Sequence, residues 1–236
     1  DLYPIDDKIK IIILNFTLMK REIITTNDGS SSLFVPELNE TYHSIHGAIN
    51  EALHVFLKKG LEVKKGLKPV RILEIGFGTG LNALLTLQKS MVENLNVHYT
   101  GLEKYPITIE ELESVNYGKQ LNLTSELSAL HNSKWEKENI INENFTIKKL
   151  QFDLIKQELK GEFDLIYFDA FAPNKQAKMW SEAVFNKIYS HMSKGALLVT
   201  YCCQGQVKRT LKAVGFNVVK TDGPPGKREM LTATKE

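Results

Sequence analysis

The stretch Arg71-Ile-Leu-Glu-Ile-Gly-Phe-Gly-Thr-Gly80 decides the fold, because it leads an apolar strand into glycines at alternate positions. An amphipathic helix pattern, Leu81–Met91, follows directly. Glycine adopts backbone torsions that a Cβ forbids, so such a turn lets the backbone pass close beneath a ligand. Its spacing is G-x-G-x-G, which differs from the G-x-G-x-x-G of dinucleotide-binding turns.

Two acidic residues indicate which ligand this turn binds. Glu74 stands two residues before the first glycine, where a carboxylate can meet the cationic end of a sulfonium ligand and would repel a pyrophosphate. Glu103 ends the next predicted strand, 23 residues after Gly80. An acidic residue at about that distance typically binds the ribose hydroxyls of a nucleotide. The pattern favours S-adenosylmethionine over a nicotinamide cofactor, with Gly76, Gly78 and Gly80 beneath it.

Strands and helices alternate after this stretch, which predicts a mostly parallel sheet covered on both faces. The predicted helices are Leu81–Met91, Ile107–Val115, Leu121–His131, Met179–Met192 and Gln206–Val214. The seven predicted strands are Val70–Ile75, Val97–Leu102, Phe145–Leu150, Phe163–Phe168, Ala196–Tyr201, Phe216–Lys220 and Glu229–Thr234. The last two are separated by only eight residues, 221–228, too few for a crossover helix, so we expect an antiparallel C-terminal hairpin. This is the Rossmann-like α/β architecture of the class I S-adenosylmethionine methyltransferases, in which ligands bind at the carboxyl ends of the strands.

The chain is expected to form one methyltransferase domain over residues 19–236. Residues 67–236 make its Rossmann-like core, and residues 19–66 a small β-hairpin and helix, with strands at Arg21–Thr26 and Ser32–Val35 and the helix at His43–Lys58. We expect residues 1–18 to be an extension that activity does not need. They include acidic residues and a short apolar run, which fits neither a secretory signal nor a membrane span.

Composition adds few constraints on partners. Basic and acidic residues nearly balance, 30 against 28, although residues 194–236 hold eight basic residues and three acidic ones. The only cysteines, Cys202 and Cys203, are adjacent, which implies no disulfide and fits a reducing, cytoplasmic setting. The six histidines show no zinc-like pairing with cysteine, so we expect no metal site.

Two aspartates follow predicted strands. Asp169 ends the segment Ile166-Tyr-Phe-Asp169, at the edge where a methyl group is delivered, and its carboxylate can orient an attacking amine. A turn or helix-capping aspartate is the alternative. Asp153 follows the third strand, where it can accept a hydrogen bond from the adenine amine or cap a helix over Leu154–Leu159. The sequence leaves both roles open for each residue.

Two further segments carry candidate substrate-binding residues. In the loop after Asp169, Lys175 can meet a phosphate, and Trp180 can stack on a base or simply pack in the core. Lys227 and Arg228 follow the Gly223-Pro-Pro-Gly226 turn, where phosphate contact and a solvated loop are equally compatible with the sequence.

Together these motifs resemble the tRNA 5-methylaminomethyl-2-thiouridine methyltransferases (MnmD, also the methyltransferase half of bifunctional MnmC). The resemblance spans roughly Met19 to the C-terminus. Its motifs are Glu74-Ile-Gly-Phe-Gly-Thr-Gly-Leu-Asn82, Asp169-Ala-Phe-Ala-Pro-Asn-Lys175 with Met179-Trp180, Lys227-Arg228-Glu229-Met230, and Tyr42-His-Ser44 with Gly47-Ala48 and Glu51.

The resemblance implies methyl transfer from S-adenosylmethionine to the aminomethyl group of a tRNA wobble uridine. Asp169 would then lie at the amine, Asn82 with the glycine motif at the cofactor, and the loop from Pro173 to Trp180 near the anticodon loop together with Lys227 and Arg228. No segment of the sequence is long enough to be the FAD-dependent oxidase domain of the bifunctional proteins, so we expect methylation only, with the aminomethyl substrate supplied by another enzyme. The rival enzyme class is a small-molecule amine methyltransferase or aminopropyltransferase, and an inactive RNA-binding protein on the same fold is the non-enzymatic alternative.

Overall fold

A small antiparallel sheet begins the part of the chain that the computed structural model describes, residues 20–236. Strands β1 (Glu22–Thr25) and β2 (Ser31–Val35) form the predicted hairpin, and a two-residue strand, β3 (Glu40–Thr41), pairs with β2. The predicted extension at residues 1–18 lies outside the described residues.

The first helix, α1, covers residues 48–64 and differs from the predicted range at both ends. It starts later because Gly47 has φ 135°, which a helix excludes, so that residues 43–47 form a loop. It ends later because Leu57 and Leu61 are buried and extend its apolar face. Leu53–Leu61 are wound as a π-helix within it.

The large sheet has eight strands in the order β10-β11-β9-β8-β4-β5-β7-β6. In chain order they are β4 (Val70–Ile75), β5 (Val97–Glu103), β6 (Glu138–Asn142), β7 (Phe145–Gln151), β8 (Phe163–Phe168), β9 (Met192–Thr200), β10 (Asn217–Asp222) and β11 (Glu229–Thr234). The five strands β7, β5, β4, β8 and β9 are parallel, while β11 is antiparallel to both β9 and β10. The predicted class I methyltransferase sheet with its C-terminal hairpin is confirmed.

The predicted strand count of seven is wrong by one. The additional strand, β6, pairs antiparallel with β7 at the edge of the sheet. Its sequence, Glu-Asn-Ile-Ile-Asn, is polar at both ends, and Ile140 is exposed. An edge strand needs no buried apolar face, so the hydrophobic pattern does not reveal it.

Six more α-helices follow α1: α2 (Leu81–Glu93), α3 (Ile109–Ser114), α4 (Tyr117–Leu121), α5 (Thr124–Asn132), α6 (Glu182–Ser190) and α7 (Gly205–Val214). A short 3-10 helix covers Ala177–Trp180. The predicted helix over Leu121–His131 begins instead at Thr124, because Asn122 takes the left-handed conformation at φ 56° and ends α4 there. The predicted helix from Met179 starts instead at Glu182, after Ser181 caps it by accepting a hydrogen bond from the Val184 N–H.

Two hydrophobic clusters cover the faces of the large sheet. One contains buried side chains of α1, α2 and α5, and the other contains those of α6 and α7. Because both faces are covered, the open side of the sheet is the edge where β4, β5, β8 and β9 end together. Within residues 20–236, no helix has the length and apolar composition to cross a membrane.

Candidate active site

A cavity of about 830 Å³ opens at the carboxyl ends of the parallel strands. Residues that directly follow β4, β8 and β9, namely Gly76, Asp169 and Tyr201, line its floor. The N-terminal segment covers it from the other side through Tyr42 and Glu51. The cavity therefore lies where this architecture binds ligands, with the N-terminal segment as an added wall.

The glycines of the turn adopt conformations that other residues avoid. Gly76, Gly78 and Gly80 have φ of 89°, 49° and 75°. A Cβ on Gly76 would lie 2.5 Å from the backbone oxygen of Asp169, and one on Gly78 would lie 3.1 Å from the Tyr42 ring. Gly76 and Gly78 line the cavity, whereas Gly80 lies behind it at the start of α2. The turn therefore requires glycine at these two positions, because a Cβ at either would crowd Asp169 or Tyr42.

Glu103 stands at the end of β5 and lines the cavity. Its two carboxylate oxygens accept hydrogen bonds from backbone N–H groups, Oε2 from Gly78 at 2.9 Å and Oε1 from Tyr105 at 2.8 Å. These bonds fix the carboxylate against the glycine turn and leave it further lone pairs for hydroxyl donors.

Asp153 also lines the cavity, where it caps a turn. Its Oδ1 accepts a hydrogen bond from the Ile155 N–H at 3.1 Å, and its Oδ2 lies 3.1 Å from Lys104 Nζ. Burial opposes ionisation, but the contacts with Lys104 and Ile155 outweigh it and lower the pKa of Asp153. The predicted helix over Leu154–Leu159 is replaced by this turn, so the capping and cavity-lining roles coexist.

A buried amide links two carboxylates below the cavity. Asn82 Nδ2 donates to Glu74 Oε1 and to Asp169 Oδ2, each at 2.9 Å. Glu74 also accepts a hydrogen bond from the Tyr99 hydroxyl at 2.8 Å, is fully buried, and does not line the cavity. Burial raises the pKa of Glu74 well above its usual range. Asn82 does line the cavity, and its Oδ1 accepts no hydrogen bond from the described residues.

Asp169 is half-buried at the end of β8, among charged neighbours. Burial, and to a smaller extent the charge of Glu51, raise the pKa of Asp169. The hydrogen bond from Asn82 and the charge of Lys227 lower it, and the net result is a pKa of about 7. Such a carboxylate changes its protonation near neutral pH, which suits a group that exchanges a proton with an amine.

The loop after Asp169 is held by Trp180. Its indole Nε1 donates to the Phe171 carbonyl oxygen at 2.8 Å, and its ring packs on Phe168 with centroids 4.8 Å apart. Trp180 is buried and faces the core, not the cavity. Lys175 lines the cavity, whereas Pro173 does not.

The two predicted basic residues of the C-terminal loop point in different directions. Lys227 lines the cavity, where its Nζ lies 2.7 Å from Glu51 Oε1. Arg228 is exposed outside it. The structure therefore brings Gly76, Gly78, Asn82, Glu103, Asp153, Asp169, Lys175 and Lys227 to one cavity, and leaves Glu74, Gly80, Pro173, Trp180 and Arg228 beyond its lining.

The cavity is also lined by residues to which the sequence analysis assigned no role, among them Tyr42, Glu51 and Tyr201. Tyr201 follows β9, so the strand-end rule that selected Glu103 and Asp169 applies equally to it. Tyr42 and Glu51 precede the first parallel strand, and only the family resemblance drew attention to them. Their arrival at the cavity depends on how the N-terminal segment folds back, which no local pattern encodes.

A sequence model of the S-adenosyl-L-methionine-dependent methyltransferase family matches residues 110–236, more than half of the chain. The chain belongs to this family, and S-adenosylmethionine is its cofactor.

The relatives define the class further. The chain is 34% identical over 229 residues, 90% of its length, to the "tRNA 5-methylaminomethyl-2-thiouridine biosynthesis bifunctional protein MnmC" of Cupriavidus metallidurans. It is 30% identical over 83% of its length to the protein of that name from Leptospira interrogans. The crystal structure of MNMC2 from Aquifex aeolicus superposes with a TM-score of 0.73 at 26% identity, covering 98% of this chain and 78% of that one. The resemblance predicted from the sequence is confirmed, and the chain spans about a third of the length of the curated relatives it matches.

Proposed function

We propose that this chain methylates the aminomethyl group on the wobble uridine of tRNA, with S-adenosylmethionine as methyl donor. The observation that carries the proposal is the position of Asp169. Its carboxylate lies at the end of β8, in the cavity beside the glycine turn, and is oriented by Asn82. The tRNA-modifying MnmC proteins to which the chain is similar supply the substrate class.

The cavity fits the cofactor on three grounds. Gly76 and Gly78 let the backbone of the turn pass close beneath the cavity, since a Cβ at either position would crowd Asp169 or Tyr42. Glu103 is fixed with lone pairs to spare for ribose hydroxyls, and Asp153 stands nearby for the adenine amine. The unpartnered Oδ1 of buried Asn82 can accept a hydrogen bond from an amino group of a ligand. Glu74 acts indirectly in this proposal, because it holds Asn82 from behind.

The cofactor supplies a methyl group on an already activated sulfonium, so positioning of the amine is the main task of the protein. An amine arrives protonated at neutral pH and must lose a proton before its lone pair can attack. Asp169 accepts that proton from the amine nitrogen, and its pKa near 7 lets it do so and later release the proton to water.

The tRNA reaches the cavity through its open side. Lys175 lines the cavity, and exposed Arg228 follows Lys227 in the loop between β10 and β11. Few phosphate contacts suffice if recognition is confined to an anticodon loop. We further propose that the reaction is confined to methylation in the cytoplasm, on an aminomethyl group made by a separate active site.

The test measures methyl transfer from labelled S-adenosylmethionine to two acceptors, tRNA carrying the aminomethyl uridine and the polyamine putrescine. We expect label in the tRNA alone. Label in putrescine with none in tRNA would instead support the small-molecule class. In single-turnover assays, Asp169→Ala should lower the rate by at least a hundredfold while cofactor affinity changes only a few-fold.

A further inference from the structure

The side-chain ammonium of Lys227 lies in a site suited to a primary amine. Its Nζ is 2.7 Å from Glu51 Oε1 and 4.2 Å from the centroid of the Tyr201 ring. A carboxylate and an aromatic face are the two groups that proteins use to bind ammonium ions. Both line the cavity that contains Asp169.

The acceptor groups of this site are fixed. Glu51 Oε2 accepts a hydrogen bond from the Ser44 N–H at 2.9 Å, and only a tenth of the Glu51 side chain is exposed. The Tyr201 hydroxyl donates to the Ala170 carbonyl oxygen at 2.8 Å, which fixes the ring beside the segment that carries Asp169. These two anchors hold both acceptors in place whether or not a cation lies between them.

The ammonium group of Lys227, in contrast, can move out of this site. About a third of the Lys227 side chain is exposed, and the residue sits in the loop that joins β10 to β11. Its flexible four-carbon stem can carry the ammonium into solvent, where hydration or a phosphate replaces Glu51 as its partner. The site thus combines rigid acceptors with a displaceable ammonium.

We propose that Glu51 and the Tyr201 ring bind the primary ammonium of the substrate, and that Lys227 occupies this position until the substrate displaces it. The inference rests on the proposed function, since it states how that substrate's amine is held. Substrate binding then returns an ammonium to the site and places it beside Asp169. The amine nitrogen passes one proton to the Asp169 carboxylate, which leaves a neutral amine and a protonated acid.

This arrangement makes opposite predictions for the two partners of the ion pair. Removal of the Glu51 charge weakens binding of the amine. Removal of the Lys227 charge strengthens it, because the competitor is gone. If Lys227 served only to bind phosphate, its removal would instead weaken the binding of every tRNA alike.

The experiment compares dissociation constants for two tRNAs that differ only at the wobble position, one with the aminomethyl uridine and one with unmodified uridine. S-adenosylhomocysteine, which has no methyl group to transfer, is present throughout. The ratio of the two constants isolates the amine from phosphate contacts. The variants are Glu51→Gln, Lys227→Met and, as a control of equal charge change, Lys220→Met on β10, where Lys220 pairs with exposed Glu229.

We expect Glu51→Gln to reduce the preference for the aminomethyl tRNA about tenfold, the loss of one charge-assisted hydrogen bond. Lys227→Met should increase that preference several-fold, and Lys220→Met should leave it unchanged. An unchanged or reduced preference in Lys227→Met overturns the proposal, as does an unchanged preference in a folded Glu51→Gln. Lys227 is partly exposed, so its variant decides the matter even if Glu51→Gln does not fold.

Methyl transfer by the wild-type chain distinguishes a failure of the ammonium site from a failure of the proposed function. If it transfers no methyl group to the aminomethyl tRNA, the proposed function fails and the ammonium site fails with it. If it transfers the methyl group but the preferences do not move as stated, only the ammonium site is overturned.

Discussion

Replacement of Asp169 by asparagine should stabilise the fold while it abolishes catalysis. The side chain is half-buried next to the charge of Glu51, and its pKa is raised from 3.8 to about 7. An acid whose pKa is higher in the folded state binds its proton more tightly there, so its stabilising contribution is lost as the pH rises from 3.8 to 7. Asparagine keeps an amide oxygen for the hydrogen bond from Asn82 and carries no charge.

The size of the effect follows from the pKa. Each pH unit between the unfolded and folded values changes the free energy of unfolding by about 1.4 kcal/mol. An experiment run between about pH 5.5 and 8.5 covers only the upper part of that range, from about pH 5.5 to 7. Over this part, the free energy of unfolding of the wild type falls by about 2 kcal/mol because of Asp169. The free energy of unfolding of Asp169→Asn, relative to that of the wild type, should therefore rise by about 2 kcal/mol between the lower and the higher pH.

Urea unfolding of both proteins at the two pH values, without cofactor, measures this difference. Titrating groups that do not interact with Asp169 behave alike in the two proteins, so their contributions cancel in the comparison. A stability difference that stays constant within about 0.5 kcal/mol across the interval would refute the reasoning, because Asp169 would then titrate alike in the folded and unfolded states.

Three further variants test the cofactor side of the site and its supporting loop. Gly76→Ala should lower S-adenosylmethionine affinity at least tenfold in calorimetry, because its Cβ would lie 2.5 Å from a backbone oxygen at φ 89°, whereas Gly66→Ala, with nothing within 4 Å, should change nothing. Glu103→Gln should weaken cofactor binding about tenfold by the same method, because an amide has only one oxygen for two backbone donors and the ribose. Trp180→Phe loses the bond to the Phe171 carbonyl and should lower stability by about 1 kcal/mol in urea unfolding, with a fall in methylation rate, whereas equal rates would show that the loop does not depend on it.

The sequence predicts the parallel sheet because its evidence is local. Val70–Ile75 and Phe163–Phe168 are mostly apolar segments, and the structure places strands at just those bounds. The residues after such strands meet at one edge by the geometry of parallel pairing, which brings Asp169 to the same cavity as Glu103. Sheet and cavity floor can therefore be predicted from pattern alone.

The remainder depends on contacts between distant residues. Strand β6 is set by pairing with β7, not by its own pattern. Glu51 and Lys227 are 176 positions apart and meet only because α1 and the loop between β10 and β11 converge on the cavity. The sequence predicts Glu74 at the sulfonium, but its side chain on β4 is buried and accepts a hydrogen bond from the Tyr99 hydroxyl. One residue of strand register separates a cavity-facing position from a buried one, and motif spacing does not resolve it.

The most direct test of the proposed function is to find which nucleoside receives the methyl group. The chain is incubated with labelled S-adenosylmethionine and tRNA that lacks only the last wobble methylation, and the tRNA is then digested to nucleosides and separated. We expect the label in 5-methylaminomethyl-2-thiouridine and in no other nucleoside. Label in a different nucleoside, or none despite cofactor binding confirmed by calorimetry, would contradict it.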